Sequence, residues 1–102
     1  MAKEIILYNL ADNVTDEEYK KFVTNEKGPL LESLPSAKKF ELVRITGAAT
    51  GEIPYKYVGI LHVKSLDELN QKGKTTQKFQ DFLKKWTPMI KNFHILQGEE
   101  IY

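Results

Sequence analysis

Two apolar runs of the chain are each followed by the same helix-start signal. Residues 3–10 and 57–63 are rich in β-branched, leucine and tyrosine side chains, which is typical of strands. Thr15 and Glu18 follow the first run, and Ser65 and Glu68 follow the second. In each pair the hydroxyl can accept from a backbone N–H while the glutamate reaches back to the cap, so both pairs predict the first turn of a helix.

Apolar residues recur at helical spacing after these signals. In the first helical segment they are Tyr19, Phe22, Val23, Leu30, Leu31 and Leu34. In the second, which starts near Thr76 after a break at Gly73, they are Phe79, Phe82, Leu83 and Trp86. Proline cannot donate to the preceding turn, so Gly28 and Pro29 predict a break or kink in the first segment.

The remaining apolar runs complete a six-element order. They predict a second strand over residues 38–46, a third over 55–64 and a last over 93–97, with a small-residue loop over 47–54. The order β-α-β-β-α-β with right-handed crossovers predicts a ferredoxin-like α+β sandwich, with the first and third strands central in an antiparallel sheet. The length suits one domain over residues 1–102.

Both faces of the predicted central strands are apolar, although helices cover only one. The uncovered face carries Ile5, Leu7, Val43, Ile45, Val58 and Ile60, with His62 on the same side. Left in water, these side chains would form an apolar patch of roughly several hundred Å², which monomers rarely expose. We therefore expect a homodimer, sheet against sheet. The alternative is that a bulge exchanges the two faces.

Composition narrows the classes of partner and chemistry. Fifteen basic and 14 acidic residues give a net charge of +1 with no basic stripe, so no nucleic-acid partner is expected. No apolar run approaches membrane-spanning length and no signal-peptide pattern is present, so no membrane partner and a cytoplasmic location are expected. The chain has no cysteine, which excludes disulfides and thiolate sites. No phosphate loop or nucleotide fingerprint supports a cofactor.

Arg44 is the only arginine and lies in an apolar strand. It alternates with Phe40 and Leu42, which places it on the helix side of the sheet. A guanidinium in such a position needs an anion or backbone carbonyls. It is either an anchor for a carboxylate or phenolate ligand, or the partner of a glutamate such as Glu4.

Tyr8 and Tyr57 share that face on the two central strands. They are either core tyrosines with satisfied hydroxyls, or groups that orient a ligand and exchange a proton. Together with Arg44 they are the candidate catalytic residues, and we expect Arg44 to lower the pKa of a neighbouring hydroxyl. The expected wall of a ligand pocket is Ile6, Phe22, Leu42, Phe79, Phe82 and Trp86, although the aromatic spacing also fits a core.

The histidines and one loop are weaker candidates. His62 shares the parity of the expected dimer face, His94 lies in the last strand, and no carboxylate has ligand spacing to either, so no metal site is predicted. Residues 74–76 precede a helix and could receive an anion, but a threonine cap explains them equally well.

Five segments carry a resemblance to a known family: IILYNL at 5–10, LPS at 34–36, FELVRITG at 40–47, PYKYV at 54–58 and FHILQ at 93–97. They resemble the RedY/HapK-like branch of the dimeric α/β-barrel superfamily, and the resemblance spans nearly the whole chain. It implies a dimeric α/β barrel with a pocket between sheet and helices. Related branches include cofactor-free monooxygenases, polyketide cyclases and EthD-like proteins, in which histidine or tyrosine transfers protons. This chain has no histidine in its first strand or second helix, where the cyclases often place one.

The resemblance implies a cofactor-independent cyclase or tailoring enzyme that acts on a small aromatic or polyketide-like compound. The residues leave other classes open. One is a non-catalytic ligand-binding or stress-related homodimer. Another is an interaction module that uses the sheet edges.

Overall fold

Four strands form one antiparallel sheet in the computed structural model, which describes all of residues 1–102. The strands are β1 Ala2–Leu10, β2 Ala37–Arg44, β3 Tyr57–Val63 and β4 Ile90–Glu99. Their order in the sheet is β2-β3-β1-β4, so β1 and β3 are central. This confirms the predicted ferredoxin-like α+β sandwich. β4 is longer than the sequence indicated, whereas β2 and β3 are shorter.

The first helical segment consists of α1 Asp16–Phe22, a π-helical turn Val23–Lys27 and α2 Gly28–Glu32. The break or kink predicted at Gly28 and Pro29 takes the form of this π-helical turn, which interrupts the α-helix directly before Gly28. The Gly28 N–H donates to the carbonyl of Val23, five residues earlier in the chain. This is the hydrogen-bond spacing of a π-helix. The wider turn accommodates the proline ring. A Cβ at position 28 would lie 3.1 Å from that carbonyl oxygen, so glycine fits best there.

The second helical segment is interrupted in a similar way. It runs through α3 Leu66–Glu68 and a π-helical turn Leu69–Gly73, and α4 Gln77–Trp86 follows. Thr76 caps α4 by accepting from the Phe79 N–H at 3.3 Å, which is the ordinary capping alternative for this loop. A short 3₁₀ turn, Thr87–Met89, then leads into β4.

Local caps hold the helix starts as the sequence indicated. The Thr15 hydroxyl accepts from the Glu18 N–H at 3.1 Å, and the Glu18 carboxylate accepts from the Thr15 N–H at 3.3 Å. This is a complete capping box. Ser65 makes only the first of these bonds, accepting from the Glu68 N–H at 3.2 Å.

The core lies between the sheet and the helices. It contains 13 buried hydrophobic residues: Ile6, Tyr8, Tyr19, Leu31, Leu34, Tyr57, Leu61, Val63, Leu69, Phe79, Phe82, Trp86 and Ile90. Register irregularities occur near Ala37 in β2 and opposite Tyr8 in β4, where Asn92 has a φ of 55°. β1 and β3 pair without a register shift, so the bulges do not exchange the two faces of the central strands.

The sheet face away from the helices, here called the outer face, is apolar and open. Val43 is exposed, and the other predicted apolar members are half-buried: Ile5, Leu7, Ile45, Val58 and Ile60. Leu96 of β4 pairs with Ile5, so it also lies on the outer face, where it is 51% exposed. His62 lies at the rim of this face and bonds to Glu41 at 2.8 Å. No helix of the structure is long and apolar enough to cross a membrane.

We predict that Thr15→Ala lowers the free energy of unfolding by about 1 kcal/mol, because the start of α1 loses its cap. Urea denaturation followed by circular dichroism measures this loss. Thr50→Ala, in the exposed loop before β3, is the matched control and should leave stability unchanged. Equal losses for both variants would contradict the role of the cap.

Candidate functional site

Three side chains from different elements meet at one edge of the helical layer. Asp16 begins α1, Arg44 ends β2 and Tyr57 begins β3. The Tyr57 hydroxyl donates to one carboxylate oxygen of Asp16, and Arg44 Nη1 lies 3.2 Å from the other. We call these three residues the edge site. Its centre is a carboxylate that bridges a phenol and a guanidinium.

Local structure explains why the three groups converge. Arg44 and Tyr57 are direct cross-strand partners in the β2–β3 pairing, so their side chains lie on the same face. Asp16 occupies the first turn of α1, where a negative charge is favoured by the helix dipole. Arg44 therefore has an ion-pair partner, but that partner is Asp16. Glu4, which the sequence had suggested, instead pairs with Lys74.

The edge site shifts the pKa values of Asp16 and Tyr57 in opposite directions. The hydrogen bond from Tyr57, followed by the charge of Arg44, holds the pKa of the Asp16 carboxyl below its usual range. Burial, together with the neighbouring Asp16 carboxylate, raises the pKa of Tyr57 to about 12. Arg44 lowers the pKa of the Tyr57 hydroxyl, as expected, but burial and the Asp16 carboxylate raise it by more. Near neutral pH the site holds a carboxylate and a protonated phenol.

Two cavities meet at the edge site. The smaller, of about 270 Å³, is lined by Asp16, Tyr19, Lys20, Val23, Thr24, Leu42, Arg44 and Tyr57. The larger, of about 690 Å³, is lined by Asn9, Leu10, Ala11, Asp12, Val14, Thr15, Asp16, Lys56, Tyr57, Lys91 and Asn92. Asp16 and Tyr57 belong to both linings. A small molecule in either cavity would therefore contact the carboxylate and the phenol.

The structure brings only part of the predicted site together. Leu42, Arg44 and Tyr57 line the smaller cavity. Tyr8 is completely buried, and Phe22 packs half-buried against the core. The other predicted wall residues are core side chains: Ile6, Phe79, Phe82 and Trp86. None of them lines either cavity at the edge site, although Phe82 borders a separate cavity of about 220 Å³. Their role as a pocket wall stays a prediction.

A buried lysine, which the sequence did not single out, lies behind the site. Lys27 is 1% exposed, and its Nζ lies 3.0 Å from the hydroxyls of both Tyr8 and Tyr19. Those hydroxyls are 2.6 Å apart, and Trp86 Nε1 donates to the Tyr19 hydroxyl at 2.9 Å. We call these four residues the amine cluster. A signal existed in the sequence, because Lys27 occurs four residues after Val23 and four before Leu31, on the apolar face of the helix.

Burial dominates the electrostatics of the amine cluster. It lowers the pKa of Lys27 from 10.5 to about 7, and Lys27 makes no salt bridge. It also raises the pKa of Tyr19 to about 12 and raises that of Tyr8. The Lys27 Nζ lies 4.4 Å from the ring centroid of Trp86 and 4.8 Å from that of Tyr8, which favours the charged form.

The histidines lie away from the edge site. His62 is bonded to Glu41 on the outer face. His94 packs against the Tyr55 ring at a centroid distance of 5.6 Å. No group of three or more histidine, aspartate or glutamate side chains converges in a way that could hold a metal ion.

A family model for the REDY-like protein HapK matches residues 2–101. The chain belongs to this family. The resemblance found in the sequence is thereby confirmed over nearly its whole length. No curated protein sequence matches the chain.

Solved structures share the fold at low sequence identity. HapK from Hahella chejuensis aligns with a TM-score of 0.80 at 21% identity, over 99% of this chain and 93% of that one. The hydroxynitrile lyase from Passiflora edulis aligns with a TM-score of 0.79 at 14% identity, over 99% and 95%. A dimeric ferredoxin-like protein from Thermobifida fusca aligns with a TM-score of 0.73 at 18% identity, over 97% and 90%. These likenesses establish the ferredoxin-like fold.

We predict that the stability of the wild type rises relative to Lys27→Met as the pH increases from about 7 to about 9.5. In this window the unfolded lysine binds a proton that the folded amine has lost, since the folded pKa is about 7 and the unfolded value 10.5. Methionine fills a similar volume without a charge. Urea denaturation of both proteins at several pH values measures the difference. Parallel pH profiles would contradict the buried titration.

Proposed function

We propose that the protein binds a small aromatic or polyketide-like molecule at the edge site and assists a cofactor-independent cyclisation or tailoring step. The observation that carries the proposal is the Tyr57–Asp16–Arg44 arrangement, which lies between two cavities. The combined space suits a small-molecule ligand. Family membership supports the same class of function, and one neighbour in fold is an enzyme, the hydroxynitrile lyase.

The three groups can divide the work of an aldol-type ring closure. Asp16, which is ionised, accepts a proton from a carbon next to a carbonyl, and the C–H electron pair forms an enolate. Once Asp16 holds that proton, the Tyr57 hydroxyl turns from the carboxyl group and donates its hydrogen bond to the enolate oxygen, and Arg44 stabilises the enolate charge. The enolate carbon attacks a second carbonyl, and the proton held by Asp16 passes to the new alkoxide. Every proton taken up is returned, so no cofactor is needed.

We predict that Tyr57→Phe reduces the cyclisation rate of a linear poly-β-ketone thioester by roughly 10²–10⁴-fold, the usual contribution of a positioned acid or base. Mass spectrometry of the ring-closed product measures the rate. Arg44→Ala should also lower the rate, because the enolate charge loses its partner. Tyr8→Phe tests the second candidate tyrosine, whose burial places it behind the site.

His62→Ala is the matched control for this series and should retain the rate, since His62 lies on the outer face. Loss of activity in His62→Ala with full activity in Tyr57→Phe and Arg44→Ala would refute the mechanism. Binding without turnover favours the alternative of a non-catalytic ligand-binding or stress-related protein. Titration with 4-hydroxybenzoate, followed by amide NMR shifts at Lys20, Thr24 and Leu42, detects such binding. A chain that neither binds nor turns over these probes would contradict both functions.

We also propose that the working unit is a homodimer that buries the outer face, sheet against sheet. The half-exposed apolar side chains of β1, β2 and β3 support this, because monomers rarely leave such a patch in water. A neighbour of the same fold, the protein from Thermobifida fusca, is described as dimeric. A barrel made of two such sheets would give one edge site to each subunit.

Val58→Asp should dissociate the dimer, because the carboxylate would be buried without a partner. Light scattering at micromolar concentration measures the mass, and circular dichroism verifies that the variant is folded. Thr50→Asp in the exposed loop introduces the same charge away from the outer face and should keep the dimer. A monomeric mass for the wild type would exclude this assembly.

A further inference from the structure

We propose that Lys27 is a positioning residue for Tyr57, and that the charge state of its amine is transmitted to the edge site through the rings of Tyr8 and Tyr19. The consequence for ligand binding rests on the proposed function. The effect on Tyr57 itself can be measured without any ligand.

Aromatic contacts connect the amine cluster to Tyr57. The Tyr8 ring stacks on the Tyr57 ring, with centroids 5.6 Å apart and planes inclined by 12°. The Tyr19 ring meets Tyr57 nearly edge-on, with centroids 5.3 Å apart and planes inclined by 73°. Both tyrosines bond through their hydroxyls to Lys27 at 3.0 Å. A rearrangement of these hydroxyls therefore displaces the rings that hold the phenol facing Asp16.

A change of charge on Lys27 rearranges those bonds. The ammonium form has three donors and no acceptor, so both tyrosine hydroxyls must accept from it. The neutral amine has a lone pair and can accept from Tyr8 instead. The ammonium is also attracted to the faces of the Tyr8 and Trp86 rings, and this attraction disappears when the proton leaves.

Lys27 is the member of the amine cluster that titrates near neutral pH. The side chains facing its amine are Tyr8 from β1, Tyr19 from α1, Phe40 from β2 and Trp86 from α4. No carboxylate is among them. Burial raises the pKa of both tyrosines, which remain protonated, whereas it lowers the pKa of Lys27 to about 7. A small change of pH thus alters one charge inside the cluster.

The test follows the Tyr57 ring by NMR in the full chain, with ¹³C-labelled tyrosine and without ligand, from about pH 5.5 to about pH 9. Tyr57→Phe assigns the signal. We expect the wild-type Tyr57 shift to change in one step with a midpoint near pH 7, and Lys27→Met to lose that step. Lys21→Met, an exposed lysine of α1, is the matched control and should keep it. The two histidines are present in all these proteins, so they cannot cause a difference between them.

A Tyr57 signal that does not change over this range, or a step that persists in Lys27→Met, would overturn the inference. If Lys27→Met does not fold, Tyr19→Phe replaces it as the test. This variant lacks one of the two hydroxyls that bond to Lys27, so the pH-dependent change of the Tyr57 shift should be smaller. A step in the apo protein, with neither binding of 4-hydroxybenzoate nor cyclisation of the thioester, would refute the proposed function and leave the positioning role intact. If 4-hydroxybenzoate binds with equal Kd at about pH 6 and pH 8.5 and the Tyr57 signal shows no step, the positioning role is refuted and the proposed function stands.

Discussion

The antiparallel register of β1 and β3 sets Tyr8 directly opposite Tyr57, and the core and the edge site both depend on it. With this register the large side chains of the two central strands point toward the helices, while Ile5 and Ile60 pair on the outer face. A slip of β1 by one residue would turn Tyr8 outward and bring Ile5 inward. The helix-side residues are buried and bulky, so such a slip would cost both packing and hydrogen bonds.

The amine cluster explains why the space between sheet and helices is filled. An isolated ammonium in a core is costly, and Lys27 is tolerated because two hydroxyls and several aromatic faces receive it. The amine holds three aromatic side chains around it in the core: Tyr8, Tyr19 and Trp86. The open volume lies instead at the edge of the layer, where Tyr57 reaches the boundary of the same aromatic group.

The π-helical turn Val23–Lys27 links the two regions along the chain. Its first residues, Val23 and Thr24, line the smaller cavity, and its last, Lys27, lies in the core. Turns of this kind are often found at functional sites. Here the widened turn lets one helical segment continue past Pro29 and contact both the cavity and the amine cluster.

The sequence by itself determined the order of elements, the caps at Thr15 and Ser65, and which face each strand residue occupies. These features follow from near neighbours, since hydroxyl caps act within a turn and strand side chains alternate with a period of two. It also placed Arg44 and Tyr57 on one face. The sequence did not reveal that Asp16 bridges them, or that Lys27 lies between two tyrosines. Only the tertiary structure decided those partners, because they come from distant segments whose contacts depend on packing of the whole sandwich.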